Sequence, residues 1–255
     1  VVTIPDLQMS LLDLLHAVKG SDLKLIIGGG FGIYLKTDHV RRSGVRTLLR
    51  EWPEPRATND IDLFLRPELL IDPGRLKPLV DAISSLKYDV VPGAERYQFF
   101  KPAKGGTKAG GIKLDILTGP QQRFQGTPVK SDESDVGIHA HPLDAALTLE
   151  EGLLPITLAG KLSWGEPFEA EVFLPHPYTF LVMKISAFRD RLGDPDKEFG
   201  RYHALDLYSI LATTTESEWR YALGMRVRFE KEPYIMETGR MVIQCFSTME
   251  SPREK

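Results

Sequence analysis

Apolar residues recur at helical spacing near the start of the chain: Leu11, Leu12, Leu14, Leu15 and Val18 share one face. Gly20-Ser21 closes that segment. Leu23 to Ile27 then reads as a short buried strand running into Gly28-Gly29-Gly30, and Phe31 to about Arg42 as a helix. A polar stretch rich in arginine and proline follows, from Arg41 to Thr58. Asp60-Ile61-Asp62-Leu63-Phe64-Leu65 starts by alternating acidic and apolar residues, which predicts a strand. Asp72-Pro73 marks a helix start, with aspartate as cap and proline in the first turn. Leu76, Leu79, Val80, Ile83 and Leu86 share the face that follows, with Pro78 disturbing its first turn. Tyr88 to Val91 and Arg96 to Phe100 read as short strands. The glycine- and lysine-rich run from Lys101 to Gly111 reads as a mobile hairpin loop, and Ile112 to Leu117 as a buried strand. Gln121 to Asp135 is polar and reads as irregular. Pro142 to Leu149 predicts a short helix and Phe168 to Leu174 a strand. Tyr178 to Arg191 and Glu198 to Ala212 predict helices joined by a turn at Gly193-Asp194-Pro195-Asp196. The last 40 residues read as mostly helical, with a frayed tip from Ser251. The order predicts an α/β (α+β) architecture: a mixed β-sheet flanked by helices over residues 1–150, then a mainly helical C-terminal domain over 151–255.

Composition narrows the classes. With 255 residues, 42% hydrophobic and 26% charged, the chain has an ordinary globular make-up, against bulk disorder, collagen or coiled coil. Thirty-two basic residues against 35 acidic ones give a net charge of -3, which excludes a uniformly basic nucleic-acid coat but not a local basic face. No apolar run approaches the roughly 20 residues that span a bilayer, so no membrane partner is expected. Val1-Val2-Thr3-Ile4-Pro5 lacks the pattern of a signal peptide. The lone Cys245 allows neither an internal disulfide nor a cysteine-based zinc site, and a cytoplasmic location is the expectation.

Asp60 and Asp62 carry the first chemical signal. In a strand, side chains i and i+2 share a face, so both carboxylates project together while Ile61 and Leu63 point away. Adjacent carboxylates repel unless a cation lies between them, and oxygen ligands of this kind suit Mg²⁺. Asp115, flanked by Leu114 and Ile116, offers a third carboxylate on a second strand. If the strands are neighbours, the three converge, and two metal ions could clamp the attacking and leaving oxygens of a phosphoryl or nucleotidyl transfer. The plainer alternative places Asp60 at a loop end, Asp62 on a solvated edge and Asp115 in a pair with Lys113 or an arginine. Gly29-Gly30, between a strand and a helix, lets backbone N–H groups approach a triphosphate, or serves only as a tight turn. Lys184 falls within the apolar stripe Leu181, Lys184, Ile185, Phe188. It is either a cleft-facing ammonium for the phosphates or a lysine whose stem packs and whose head reaches water.

Gly29-Gly30-Phe31-Gly32-Ile33, Arg56-Ala57-Thr58-Asn59-Asp60-Ile61-Asp62-Leu63 and Lys113-Leu114-Asp115-Ile116-Leu117 together resemble the DNA polymerase β-like nucleotidyltransferase superfamily. Within it the chain is most similar to the AbiEii-type nucleotidyltransferases, many of them toxins of type IV toxin–antitoxin systems. The resemblance spans roughly residues 25 to 212 and is loose from Gln121 to Leu174. It implies a nucleotidyltransferase-type sheet, with Asp60, Asp62 and Asp115 as catalytic ligands of two Mg²⁺ ions and Gly29, Gly30, Arg56, Thr58 and Lys184 at the nucleotide. It also implies an NTP substrate, an RNA acceptor (the 3′ end of a tRNA), and a cognate antitoxin. Arg201-Tyr202-His203-Ala204-Leu205-Asp206-Leu207 is similar to the family's Arg-x-Lys-Asp-x-x-Asp-Leu segment. Asp206 takes the second acidic position, where it could hold Lys184 or Arg189, and His203 replaces the first.

Other chemistries lack a pattern. His139-Ala140-His141 has no further ligands to complete a zinc set, there is no Gly-x-Ser-x-Gly elbow, and the glycine run fits neither a Rossmann fingerprint nor a P-loop. Arg41, Arg42, Arg46, Arg50 and Arg56, and Lys101, Lys104, Lys108 and Lys113, form basic clusters that a polyanionic acceptor would need, with Arg220, Arg226 and Arg228 extending them. The alternatives are transfer to a protein or an aminoglycoside-like small molecule, a non-catalytic nucleotide-binding module, and an acidic interaction protein.

Overall fold

Thr3 opens helix α1 (Ile4–Ala17) with a reciprocal cap: its hydroxyl accepts from the Asp6 amide, and its own amide donates to the Asp6 carboxylate. The computed structural model describes residues 2–66, 69–70, 72–102, 110–120, 137–192 and 197–246. After α1 come β1 (Ile26–Ile27), α2 (Gly29–Ser43), β2 (Asp60–Phe64), a 3-10 turn (Pro73–Leu76) and α3 (Lys77–Ser85). Then follow β3 (Asp89–Val90), β4 (Gln98–Pro102), β5 (Gly111–Thr118), β6 (His141–Pro142), β7 (Leu154–Lys161) and β8 (Pro167–Leu174). Helices α4 (Pro177–Arg191), α5 (Lys197–Ala212), α6 (Glu216–Arg228) and α7 (Pro233–Phe246) close the described chain. No described helix is long and apolar enough to cross a membrane.

All the strands join one mixed sheet in the order β3-β4-β5-β2-β1-β8-β7, with β6 also on β5. Strand β2 runs parallel to β5, β1 parallel to β8 and β6 parallel to β5; the remaining pairs are antiparallel. The period-2 pattern divides the sheet. Ile61, Leu63, Leu114, Ile116, Val172 and Leu174 belong to the main core with Leu7, Leu11 and Leu79 from α1 and α3. The opposite face carries Asp60, Asp62 and Phe64 on β2 and Lys113, Asp115 and Leu117 on β5. Phe64 there packs with Ile26, Ala146 and Leu149, so the apolar cover begins where the carboxylates end.

The sheet continues past residue 150. Strands β7 and β8 form a long hairpin, from Leu154 opposite Leu174 to Lys161 opposite Pro167, and β8 joins the sheet beside β1. The run of helices begins at Pro177. The helix expected from Pro142 to Leu149 does not form. Its place is taken by β6 and a 3-10 turn (Asp144–Ala146), held by i→i+3 bonds such as Ala146 N–H to the Leu143 carbonyl and Leu149 N–H to the Ala146 carbonyl, both 3.0 Å. Residues 103–109 of the expected hairpin loop, the polar run 121–135, the turn at 193–196 and the tip from Ser251 lie outside the described residues.

Charged contacts tie the helical region to the sheet region, and two among the described residues are largely buried. Lys36 of α2, almost fully buried, pairs with Glu218 of α6. Glu218 also accepts from the Thr215 amide and hydroxyl at 2.8 and 2.9 Å, and so caps α6. The other contact converges on Asp206.

Candidate active site

Strand register answers the main question left by the sequence. Asp62 lies directly opposite Asp115 on the neighbouring parallel strand, and Asp60 opposite Lys113. Paired residues of adjacent strands point to the same face about 4.8 Å apart, so the three carboxylates share one patch of sheet. Burial, opposed by Lys184 and reinforced by Asp115 and Asp60, raises the Asp62 carboxyl to about 6. Burial also raises Asp115, against the pull of Lys113. The pairing of Asp115 with Lys113 is present as well, Nζ to Oδ2 at 3.2 Å. The other carboxylate oxygen, Oδ1, is buried and accepts no hydrogen bond.

The glycine turn closes over this patch. The Gly28 amide donates to the Asp62 carbonyl at 2.9 Å, which fixes the start of α2 against β2. Gly29 has φ +60, and a Cβ there would overlap Oδ2 of Asp62 and lie 2.5 Å from its Cγ. Only glycine fits. A Cβ at Gly30 would meet Arg56 Nη2 at 3.1 Å and Thr58 Cβ at 3.4 Å. Gly29, Gly30, Arg56, Thr58 and Asp62 are therefore one cluster. Gly28 gives helix α2 no side-chain cap, and helix-start N–H groups of this kind can receive an anion.

Lys184 reaches the site from α4. It is buried in its apolar stripe and does not extend to water. Its Nζ lies 2.8 Å from Asp206 Oδ2 on α5. Arg56 Nε meets both oxygens of the same carboxylate, at 3.1 and 3.2 Å. Asp206 thus ties the lysine and the arginine together. Arg189 does not share in this. Five residues beyond Lys184 it points about 140° around the helix, where it pairs with Asp190 and with Glu237 of α7. His203 sits near the same group: burial, reinforced by Lys184, pushes its imidazole down to about 4.

The donor set suits Mg²⁺. Among the described residues no group of three or more His, Cys, Asp or Glu side chains forms a ready-made metal cage. Mg²⁺ needs none, since it typically takes one or two carboxylates and completes its shell with water and phosphate. Asp62 beside Asp115, whose Oδ1 has no hydrogen bond, provides such a pair, with Asp60 two residues away on the same face.

Other predicted residues are accounted for differently. His139 and His141 flank the ring of Tyr97, at 5.3 and 5.1 Å between centroids. Arg41 pairs with Glu54, Arg42 with Asp38, Arg220 with Glu216 and Arg228 with Glu151. Lys101 lies over the Tyr88 ring, and Lys104 and Lys108 fall outside the described residues. The sequence reading did not single out Lys36, although Ile33, Lys36, Thr37 and Val40 repeat the spacing that marked Lys184.

No protein-family model matches the chain, and no curated protein matches it. Among solved structures it is similar to an antigenic nucleotidyltransferase-like protein from Paracoccidioides brasiliensis, at 14% identity and a TM-score of 0.44, covering 96% of this chain and 97% of that one. It is also similar to the antibiotic-resistance factor ANT(2'')-Ia, at 16% identity and a TM-score of 0.39, covering 89% and 95%.

Proposed function

We propose that the chain is a Mg²⁺-dependent nucleotidyltransferase. The observation that carries this reading is the register of Asp62 against Asp115 beneath a glycine turn that leaves no room for a side chain. Asp60, Asp62 and Asp115 would hold the Mg²⁺, which when bound neutralises phosphate charge and orients the reacting oxygens. The uncapped N–H groups of α2 at Gly29 and Gly30 bind the triphosphate, with Arg56 and Thr58 behind them. Lys184 adds positive charge on the side of the departing phosphates. An acceptor hydroxyl attacks the α-phosphorus. The new P–O bond forms as the bond to the β-phosphate's bridging oxygen breaks, and pyrophosphate leaves. Asp115 would also accept the hydroxyl proton.

The acceptor we propose is RNA, specifically a tRNA 3′ end. Resemblance to AbiEii-type toxins supports this choice, and with it a toxin role countered by an antitoxin. The test is label transfer from each of the four α-labelled NTPs to total RNA, total protein and an aminoglycoside panel. Label is expected on tRNA, and Asp62→Asn and Asp115→Asn abolish transfer. Label on protein or on a small molecule would replace the acceptor and keep the chemistry. Undiminished transfer by both variants would remove the chemistry.

A further inference from the structure

Lys113 is the described cation whose carboxylate partner is itself a proposed metal ligand. It precedes Asp115 by two residues on β5, so the two side chains share a face, and it stands opposite Asp60 in the sheet register. Its ammonium is 3.2 Å from Asp115 Oδ2. The basic groups nearest the nucleotide turn are engaged elsewhere. Lys184 and Arg56 are tethered to Asp206, a buried carboxylate on α5 with no part in the β2–β5 pair. Lys113, with Lys184 acting on Asp62 while paired to Asp206, leaves three neighbouring carboxylates with excess negative charge, and Asp115 Oδ1 still accepts no hydrogen bond. A divalent ion would compensate more of that charge, and at the same carboxylate its charge would repel the neighbouring ammonium. The Lys113 side chain is 35% exposed, so its head can turn to water at small cost.

We infer that Lys113 competes with the divalent cation for Asp115, so that metal entry displaces the ammonium and Lys113 sets the metal affinity of the site. The inference rests on the nucleotidyltransferase reading above, and it adds a determinant of metal occupancy to that site.

Mn²⁺ titration of the full chain, followed by the electron paramagnetic resonance signal of free Mn²⁺, tests it without reference to turnover. Lys113→Met is expected to bind Mn²⁺ about five- to tenfold tighter than the natural chain, because both the competing ion pair and the like-charge repulsion are removed. Lys113→Arg keeps the charge and is expected to bind no tighter than the natural chain. Amine acylation of the natural chain, read by mass spectrometry, gives a second measure that needs no variant. Labelling of Lys113 rises as Mn²⁺ is added, over the range in which free Mn²⁺ is depleted, whereas Lys161 at the far hairpin does not change. Equal or weaker binding by Lys113→Met, or Lys113 labelling indifferent to saturating Mn²⁺, overturns the inference and leaves the site standing. Absence of Mn²⁺ binding in both chains, with and without a non-hydrolysable NTP analogue, overturns the metal site and the inference together.

Discussion

Replacing Asp206 by asparagine keeps the side chain's shape and removes its charge, which tests the idea that one carboxylate organises both cations. The Asp206 side chain is 4% exposed, that of Lys184 9% and that of Arg56 22%. Lys184 therefore has little water to fall back on. Removing one partner of a buried ion pair typically costs about 3–5 kcal/mol. Arg56 is partly solvated and recovers some of its hydration, so we expect about 3 kcal/mol. At about 2–4 °C per kcal/mol for a chain of this size, the melting temperature falls by roughly 6–12 °C. Burial also makes the loss insensitive to added salt. A double-mutant cycle with Lys184→Met isolates the pair: the double variant is expected to cost about 1–2 kcal/mol less than the sum of the single ones. NTP affinity, read by calorimetry, falls in Asp206→Asn because both cations lose their tether. An Asp206→Asn chain within about 0.5 kcal/mol of the parent, with no coupling in the cycle, would show that the contact has no energetic role.

Gly29→Ala is expected to abolish NTP binding, because its Cβ would overlap the Asp62 carboxylate. Gly20→Ala, also at positive φ but with nothing within 4 Å of its Cβ, pays only the backbone cost of about 1–2 kcal/mol. Equal melting temperatures and normal calorimetric NTP binding in both variants would refute the crowding argument. His176 governs part of the acid response. Its Nδ1 accepts from the Tyr178 amide to cap α4, and burial pushes its pKa from 6.5 down to about 4. Between those values the unfolded chain binds a proton that the folded chain refuses, so stability falls as pH drops from about 6.5 to 4. His176→Asn keeps a capping oxygen and should lose about 3 kcal/mol less over that interval. Parallel melting-temperature profiles for the two chains from pH 4 to 7 would dismiss the assignment.

Much of the fold follows from periodicity. The alternation in Asp60-Ile61-Asp62-Leu63 predicts β2 and the burial of its apolar side, because burial on one face imposes period 2. Helices α4 and α5 emerge close to their predicted limits for the corresponding reason at period 3.6. The errors lie where local pattern and tertiary demand differ. Ala145, Ala146 and Leu149 have helical spacing, yet the chain there must leave β6, cover Phe64 and enter β7 within a dozen residues, and a 3-10 turn does so with less chain. Strand β7 has no strand pattern of its own because Pro155 and Gly160 break its composition; pairing along the whole of β8 makes it a strand.

The site divides in the same way. Which residue types gather is written in local sequence: Asp-x-Asp on one strand, glycines ahead of a helix, a lysine inside an apolar stripe. What each touches is not, since partners come from distant segments. Lys184 and Lys36 illustrate this. Both occupy the 0, 3, 4, 7 pattern of a buried helix face, so both are marked as lysines that need a carboxylate in the interior. The partner of Lys184 lies on the next helix, 22 residues on; that of Lys36 is 182 residues away on α6. Sequence spacing can state the need, but only the packed helices identify the acid that meets it. The same reasoning separates Lys113 from the other two. It lies on a half-open strand face and not in a helix core, so no rule of burial obliges it to keep a partner. Its ion pair with Asp115 is consequently the one of the three that a ligand can displace without leaving a lysine charge stranded in the protein interior.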